Sequence, residues 1–316
     1  MRPDPVDDAT LALLLEVAGT PKPGNVDRHR DLDDLRFEAF LGGAVGAREG
    51  LELAADGETT IGRAFERGVA GMAARAGTNT QFGCLLLLVP LVRATVAGEG
   101  TDDGLAPAAV DRVTRGATVD DAVAFYGAFE HVDVAVGDPP AADADLDVRR
   151  GSDAAPALRE RGATLRDVMA LSADPPESAG SGDSDNVPDR NAQEWVEGFP
   201  RTFRAAEWIR SDEGPLADRA ARAFLGLLAA EPDTLVAANH GPETAREVSE
   251  RAAAILGGDR PISGGIDADA VHTADLDAAE ELADAFVEEG INPGTTADLT
   301  CAALYVALRR GAEVAP

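Results

Sequence analysis

The sequence predicts an all-α fold: one compact multi-helix domain over residues 1–316, built around a buried central helix. Three observations carry this. Apolar residues recur every three or four positions in segment after segment, which is the period of a helix face. Alternating β-branched runs are nearly absent, and no G-x-G-x-x-G or GxxxxGK[ST] loop interrupts the pattern. One stretch, "TQFGCLLLLVPLVRATVAG", is apolar almost all round, as a helix enclosed by others must be. The chain has 316 residues, 45% of them hydrophobic, enough for a sizeable core.

The first helix is "VDDATLALLLEVAG", whose early acids suit the positive end of the helix dipole. "LRFEAFLGGAVGAREGLELA" reads as a second, and "TIGRAFERGVAGMAARAG", with a glycine stop, as a third. The fourth is the apolar helix from Gln81 to Ala97, where Pro90 is a candidate kink. "TVDDAVAFYGAF" and "TLRDVMALSA" each open with a Thr suited to an N-cap. Residues 173–190, rich in Pro, Gly, Ser and Asp, read as a flexible loop. The helical pattern then resumes in "NAQEWVEGFPRTFRAAEWIR", "PLADRAARAFLGLLAAE", "GPETAREVSERAAAILGG", "DLDAAEELADAFVEEG" and "PGTTADLTCAALYVALRR".

Charge narrows the function. The net charge is −29, with 57 acids spread along the whole chain. Such a coat suits concentrated salt, which screens self-repulsion, and so points to a halophilic cytoplasm. It argues against nucleic acid and anionic membrane as partners. The longest apolar run falls far short of the roughly 20 residues of a membrane span, and the acidic start lacks the apolar core of a signal peptide. Cys84 and Cys301 lie in apolar runs and read as buried free thiols. The oligomeric state is not legible.

Lys and Arg total 28, and Lys22 is the only lysine, so 27 are arginine. It stands in "TPKPGNVD", between Pro21 and Pro23 and before Gly24. Two prolines restrain the path of this turn, and Gly24 allows positive φ or close approach of a ligand. The turn is expected to aim a compact ammonium at a phosphate, where a planar Arg fork would not fit. Asp31 and Asp33, one residue apart, can share Mg²⁺, or serve in acid–base chemistry. In "AGTNTQFG", Asn79 or Thr80 can cap the apolar helix, whose first N–H groups attract phosphate. His240 lies in a turn between helices. In "INPGTTADL", Gly294 opens the last helix, and Asp298, about one turn in, is a candidate for metal or ribose if it faces a cavity.

These motifs, in this order, resemble the triphosphoribosyl-dephospho-coenzyme A synthase family. The resemblance spans about Glu16 to Leu308, is dense around four motifs, and extends to "EGFP" and to Asp233–Thr234. It implies an all-helical enzyme that moves the triphosphoribosyl group of ATP to 3′-dephospho-CoA with release of adenine. Glu16, Lys22, Asp31 and Asp33 become the expected catalytic residues, with Asp31 and Asp33 also holding Mg²⁺. Pro21, Lys22, Gly24, Asn25, Gly77, Thr78, Asn79, Thr80, Gly83, His240, Asn292, Gly294 and Asp298 become the substrate contacts, converging on one pocket. Two departures stand out. The family's NTHKG is NTQFG here, placing Gln81 and Phe82 where His and Lys are usual. The His-Arg-Gly-Gly turn is "NHGP". A related ribosyl transfer to another acceptor is the alternative within the class. A nucleotide-binding regulator without turnover and a helical scaffold are the alternatives outside it.

Overall fold

The computed structural model describes residues 3–98, 105–136, 141–173, 187–257 and 266–314. They are helical with no strand among the described residues, the only β pairing being an isolated bridge between Asp27 and Arg30. Most of the expected loop, residues 174–186, lies outside the described residues. The chain forms two compact units.

The first unit comprises Met1–Leu11, Glu38–Gly182 and Pro188–Pro200. It takes the start of α1 (Pro5–Ala18), then α2 (Phe37–Gly46), α3 (Arg48–Asp56), α4 (Ile61–Ala76), α5 (Phe82–Ala97), α6 (Pro107–Arg115) and α7 (Val119–Ala128). Two 3-10 stretches, Ala141–Leu146 and Val148–Ala154, lead to α8 (Ala155–Arg161), α9 (Leu165–Ala173) and α10 (Arg190–Glu197). The apolar helix is α5. It runs on through Pro90, is buried along most of its length, and packs against α3, α4, α6 and α10. Trp195 of α10 sits on it and donates its indole N–H to the Leu86 carbonyl at 3.1 Å. Thr118 begins α7 with the expected cap: its hydroxyl accepts from Asp121 N, and the Asp121 carboxylate accepts from Thr118 N.

Two long helices read in the sequence are each broken. The second is split at Ala47 into α2 and α3. The reason is tertiary: a Cβ on Gly50 would lie 2.4 Å from the Gly68 Cα, so α3 and α4 meet backbone to backbone. "NAQEWVEGFPRTFRAAEWIR" is broken between α10 and α11 (Pro200–Ser211), where Gly198 (φ 83°) and Phe199 (φ 64°) both turn left-handed.

The second unit comprises Ala12–Phe37, Asp183–Val187 and Arg201–Pro316. After α11 come α12 (Leu216–Ala230), α13 (Thr234–His240), α14 (Pro242–Ile255), α15 (Ala268–His272), α16 (Leu276–Glu288) and α17 (Gly294–Arg309). Its core gathers Phe224 and Leu228 of α12, Val236 of α13, Val248 of α14 and Phe286 of α16. Helix α17 is enclosed from Thr295 to Leu308 apart from Asp298, so this unit has a buried helix of its own. Cys84 and Cys301 are buried free thiols.

Candidate active site

Helix α1 carries Glu16 in its last turn, and the chain then enters the proline-framed turn through a cis Thr20–Pro21 peptide. Lys22 lies inside the protein. It is 1% exposed, and its ammonium donates to Glu16 Oε1 and, at 2.9 Å, to Asn25 Oδ1. Glu16 is buried as well. Burial pushes its carboxyl pKa up, and the charge and hydrogen bond of Lys22 pull it back. Gly24 does take positive φ, at 75°, but the close approach it permits is to the chain itself. A Cβ there would lie 2.2 Å from the Ile291 carbonyl oxygen.

Asp27, which the sequence reading passed over, is the node of this turn. It is fully buried. Oδ2 accepts from the Thr20 hydroxyl at 2.8 Å, Lys22 N at 3.3 Å and the Arg30 guanidinium at 3.1 Å. Oδ1 accepts from His29 N at 2.8 Å and Arg30 N at 3.0 Å. Arg30 then reaches Asp284 and Glu280 of α16 at 2.7 Å each, fastening the turn to that helix.

Three further motif turns join this one within the second unit. Asn25 Nδ2 donates to Asn292 Oδ1 at 2.9 Å, linking positions far apart in the chain. His240 is the last residue of α13 rather than a turn residue, and its Nε2 lies 3.1 Å from the Gly290 carbonyl. Asp233 caps α13 through Leu235 N and Val236 N, while its other oxygen accepts from Thr296 N and Oγ1 at 2.7 Å each. Burial pushes the Asp233 carboxyl pKa up against these bonds. Gly294 and Asp298 follow on α17, Asp298 half-buried. Asp31 and Asp33 are exposed. Asp31 accepts from Phe37 N at 2.7 Å and lies 3.3 Å from Arg36.

The NTQFG turn belongs to the first unit. Gly77 ends α4 with φ 77°, and exposed Thr78 follows. Asn79 performs the expected capping, its Oδ1 accepting from Phe82 N at 3.2 Å. Thr80 does not cap; its hydroxyl is buried without a hydrogen-bond partner. Gln81 is buried and its N–H lies 3.2 Å from the Met72 sulfur. Phe82 joins an aromatic cluster, its centroid 5.0 Å from those of both Phe65 and Phe129. Gly83 follows in the first turn of α5.

A family model described as ATP:dephospho-CoA triphosphoribosyl transferase matches residues 4–315. The chain belongs to that family. No curated protein matches it. A solved structure from Archaeoglobus fulgidus, assigned as a triphosphoribosyl-dephospho-CoA synthase, is similar in fold: 24% identity, TM-score 0.61, covering 86% of this chain and all of the other.

As a triphosphoribosyl transferase family member the protein is an enzyme of the transferase class, and the family acts on ATP and dephospho-CoA. No described helix is long and apolar enough to cross a membrane. Among the described residues no three His, Cys, Asp or Glu side chains group as a metal cage. Asp27, which ties the Lys22 turn together, was not singled out from the sequence. Aspartate is abundant throughout the chain, so the one signal for Asp27 was its place inside the proline–glycine motif.

Proposed function

We propose that this protein transfers the triphosphoribosyl group of ATP to 3′-dephospho-CoA with release of adenine. The observation that carries the reading is the buried Glu16–Lys22 pair, joined through Asn25 to Asn292 of the INPG turn. In the reaction the bond between the ribose anomeric carbon and adenine breaks. A bond from that carbon to a ribose hydroxyl oxygen of the acceptor forms, the hydroxyl proton passes to a base, and adenine leaves protonated. A carboxylate whose pKa is lifted toward neutrality suits proton transfer, and Glu16 has that environment. Lys22, itself held by Asn25, keeps it in one orientation, and a negative carboxylate beside the sugar stabilises oxocarbenium character.

Magnesium fits as an ion carried in by the triphosphate. Mg²⁺ in such sites takes one or two carboxylates and completes its shell with phosphate oxygens and water. Exposed Asp33, with Asp31 beside it, would hold the ion, which supplies charge neutralisation for the phosphate chain. In this reading His240, Gly294 and Asp298 line the sugar and acceptor side of the nucleotide. The −29 charge supports action in a salt-rich cytoplasm.

One observation favours a second reading within the same class. Gln81 and Phe82 are buried and offer no cation, so a donor with fewer phosphates, or a different acceptor, also suits this turn. Mass spectrometry of acceptor incubated with ATP or ADP and Mg²⁺ decides between them. An acceptor gaining the triphosphoribosyl mass from ATP alone supports the first reading. Gain from ADP alone supports a donor with fewer phosphates, and no gain from either overturns the first reading.

A further inference from the structure

We propose that Arg28 grips the phosphate chain of the substrate. The inference rests on the reading of this turn as part of the nucleotide site. A triphosphate brings several negative charges, and the cation that the sequence pointed to is largely committed. Lys22 has three N–H donors; Glu16 takes one and Asn25 another, and the side chain is buried. A second source of positive charge is required in a protein whose surface repels anions.

The turn that follows supplies it. Asp27 and Arg30 close on each other through Asp27 N to Arg30 O at 3.0 Å and Arg30 N to Asp27 O at 3.2 Å. With Asp27 also holding His29 N, the two residues between are carried at the tip of a pinned loop. Of the three basic residues here, Arg30 is spent on Asp27, Glu280 and Asp284, and His29 faces Glu280 at 3.7 Å. Arg28 is exposed and has no ion-pair or hydrogen-bond partner among the described residues. In a chain with 57 acids, a rigidly based Arg left unpaired beside the Lys22 network is the group available to an incoming anion. Its planar fork can take two phosphate oxygens at once. Asp31 and Asp33 follow directly, so the metal carboxylates and the phosphate cation share one exposed segment above a buried support of Glu16, Lys22, Asn25 and Asp27. Because the base of the turn is already ordered, binding there orders little more than the Arg28 side chain itself.

The test is calorimetric titration with inorganic tripolyphosphate and Mg²⁺, at the lowest salt that keeps the circular dichroism of the folded protein. Arg28→Ala is expected to weaken binding at least about tenfold, the scale of losing a charged hydrogen bond. Arg28→Lys should fall between the two. Arg246→Ala removes another exposed, unpaired arginine from the same unit and should leave binding unchanged, so general loss of positive charge is excluded. Wild-type affinity in Arg28→Ala, equal losses in the two alanine variants, or no binding by the wild type overturns the proposal. Adenine release from ATP separates this from the transferase reading. Arg28-dependent binding without adenine release keeps Arg28 and removes the proposed reaction. Adenine release with an unchanged KM for ATP in Arg28→Ala does the reverse.

Discussion

Replacing Lys22 by Met leaves Glu16 buried without its counter-charge. Glu16 is 2% exposed, and Lys22 supplies both the charge and the side-chain hydrogen bond that lower its pKa. Stripping one partner from a buried ion pair costs about 3–5 kcal/mol while the other stays charged. The carboxyl can escape part of that cost by taking a proton. In the wild type its pKa is already raised by burial, so its contribution to stability is present in acid and lost as pH rises through the raised value. Without Lys22 the pKa climbs further, and the range over which stability is lost widens upward. Lys22→Met is therefore expected to be destabilised more at about pH 8 than at about pH 5, because acid favours the neutral carboxyl that burial favours. Pairing it with Glu16→Leu should recover much of the loss, because apolar replacement of a whole buried pair is often neutral. Urea unfolding in molar KCl at both pH values measures this. Equal loss at the two pH values, or no recovery in the double variant, would refute the reasoning.

Gly24→Ala places a methyl 2.2 Å from the Ile291 carbonyl at positive φ, and should cost about 1–3 kcal/mol or more in urea unfolding. Asp233→Ala removes the cap of α13 and the acceptor of both Thr296 donors, and should lower stability by about 2–4 kcal/mol, with loss of amide-exchange protection at Thr296. Diluting the protein from molar KCl to about 0.1 M lengthens the screening distance from about 3 to about 10 Å, and with −29 net charge the melting temperature should fall. An unchanged melting temperature would remove the case for salt adaptation.

The fold class was legible because it rests on periodicity, which depends on the local chain. Helix α5 was found from an equally local signal, its almost unbroken apolar run. The breaks at Ala47 and at Gly198–Phe199 were not, since the first follows from how closely α3 meets α4 and the second from a left-handed Phe199 that no local preference favours. The same division holds at the site. The lone lysine and its proline frame marked the turn, and Asn25 and Asn292 were named from their motifs. The link from Asp233 to Thr296 joins segments distant in sequence, whereas the five donors gathered by Asp27 are local and follow from the exact path of the turn, which residue types alone do not specify. Asp31 and Asp33 drew attention by their spacing, yet Asp31 starts a helix and only Asp33 is left without a protein partner among the described residues.

The measurement that bears most directly on the proposed reaction is adenine release, followed by chromatography in molar salt with Mg²⁺. With ATP and dephospho-CoA together, wild-type protein should release adenine in step with acceptor consumed. Leaving out the acceptor, chelating the metal or substituting Glu16→Gln should each suppress it. Adenine release that persists at full rate in Glu16→Gln, or none from the complete mixture, would contradict the account.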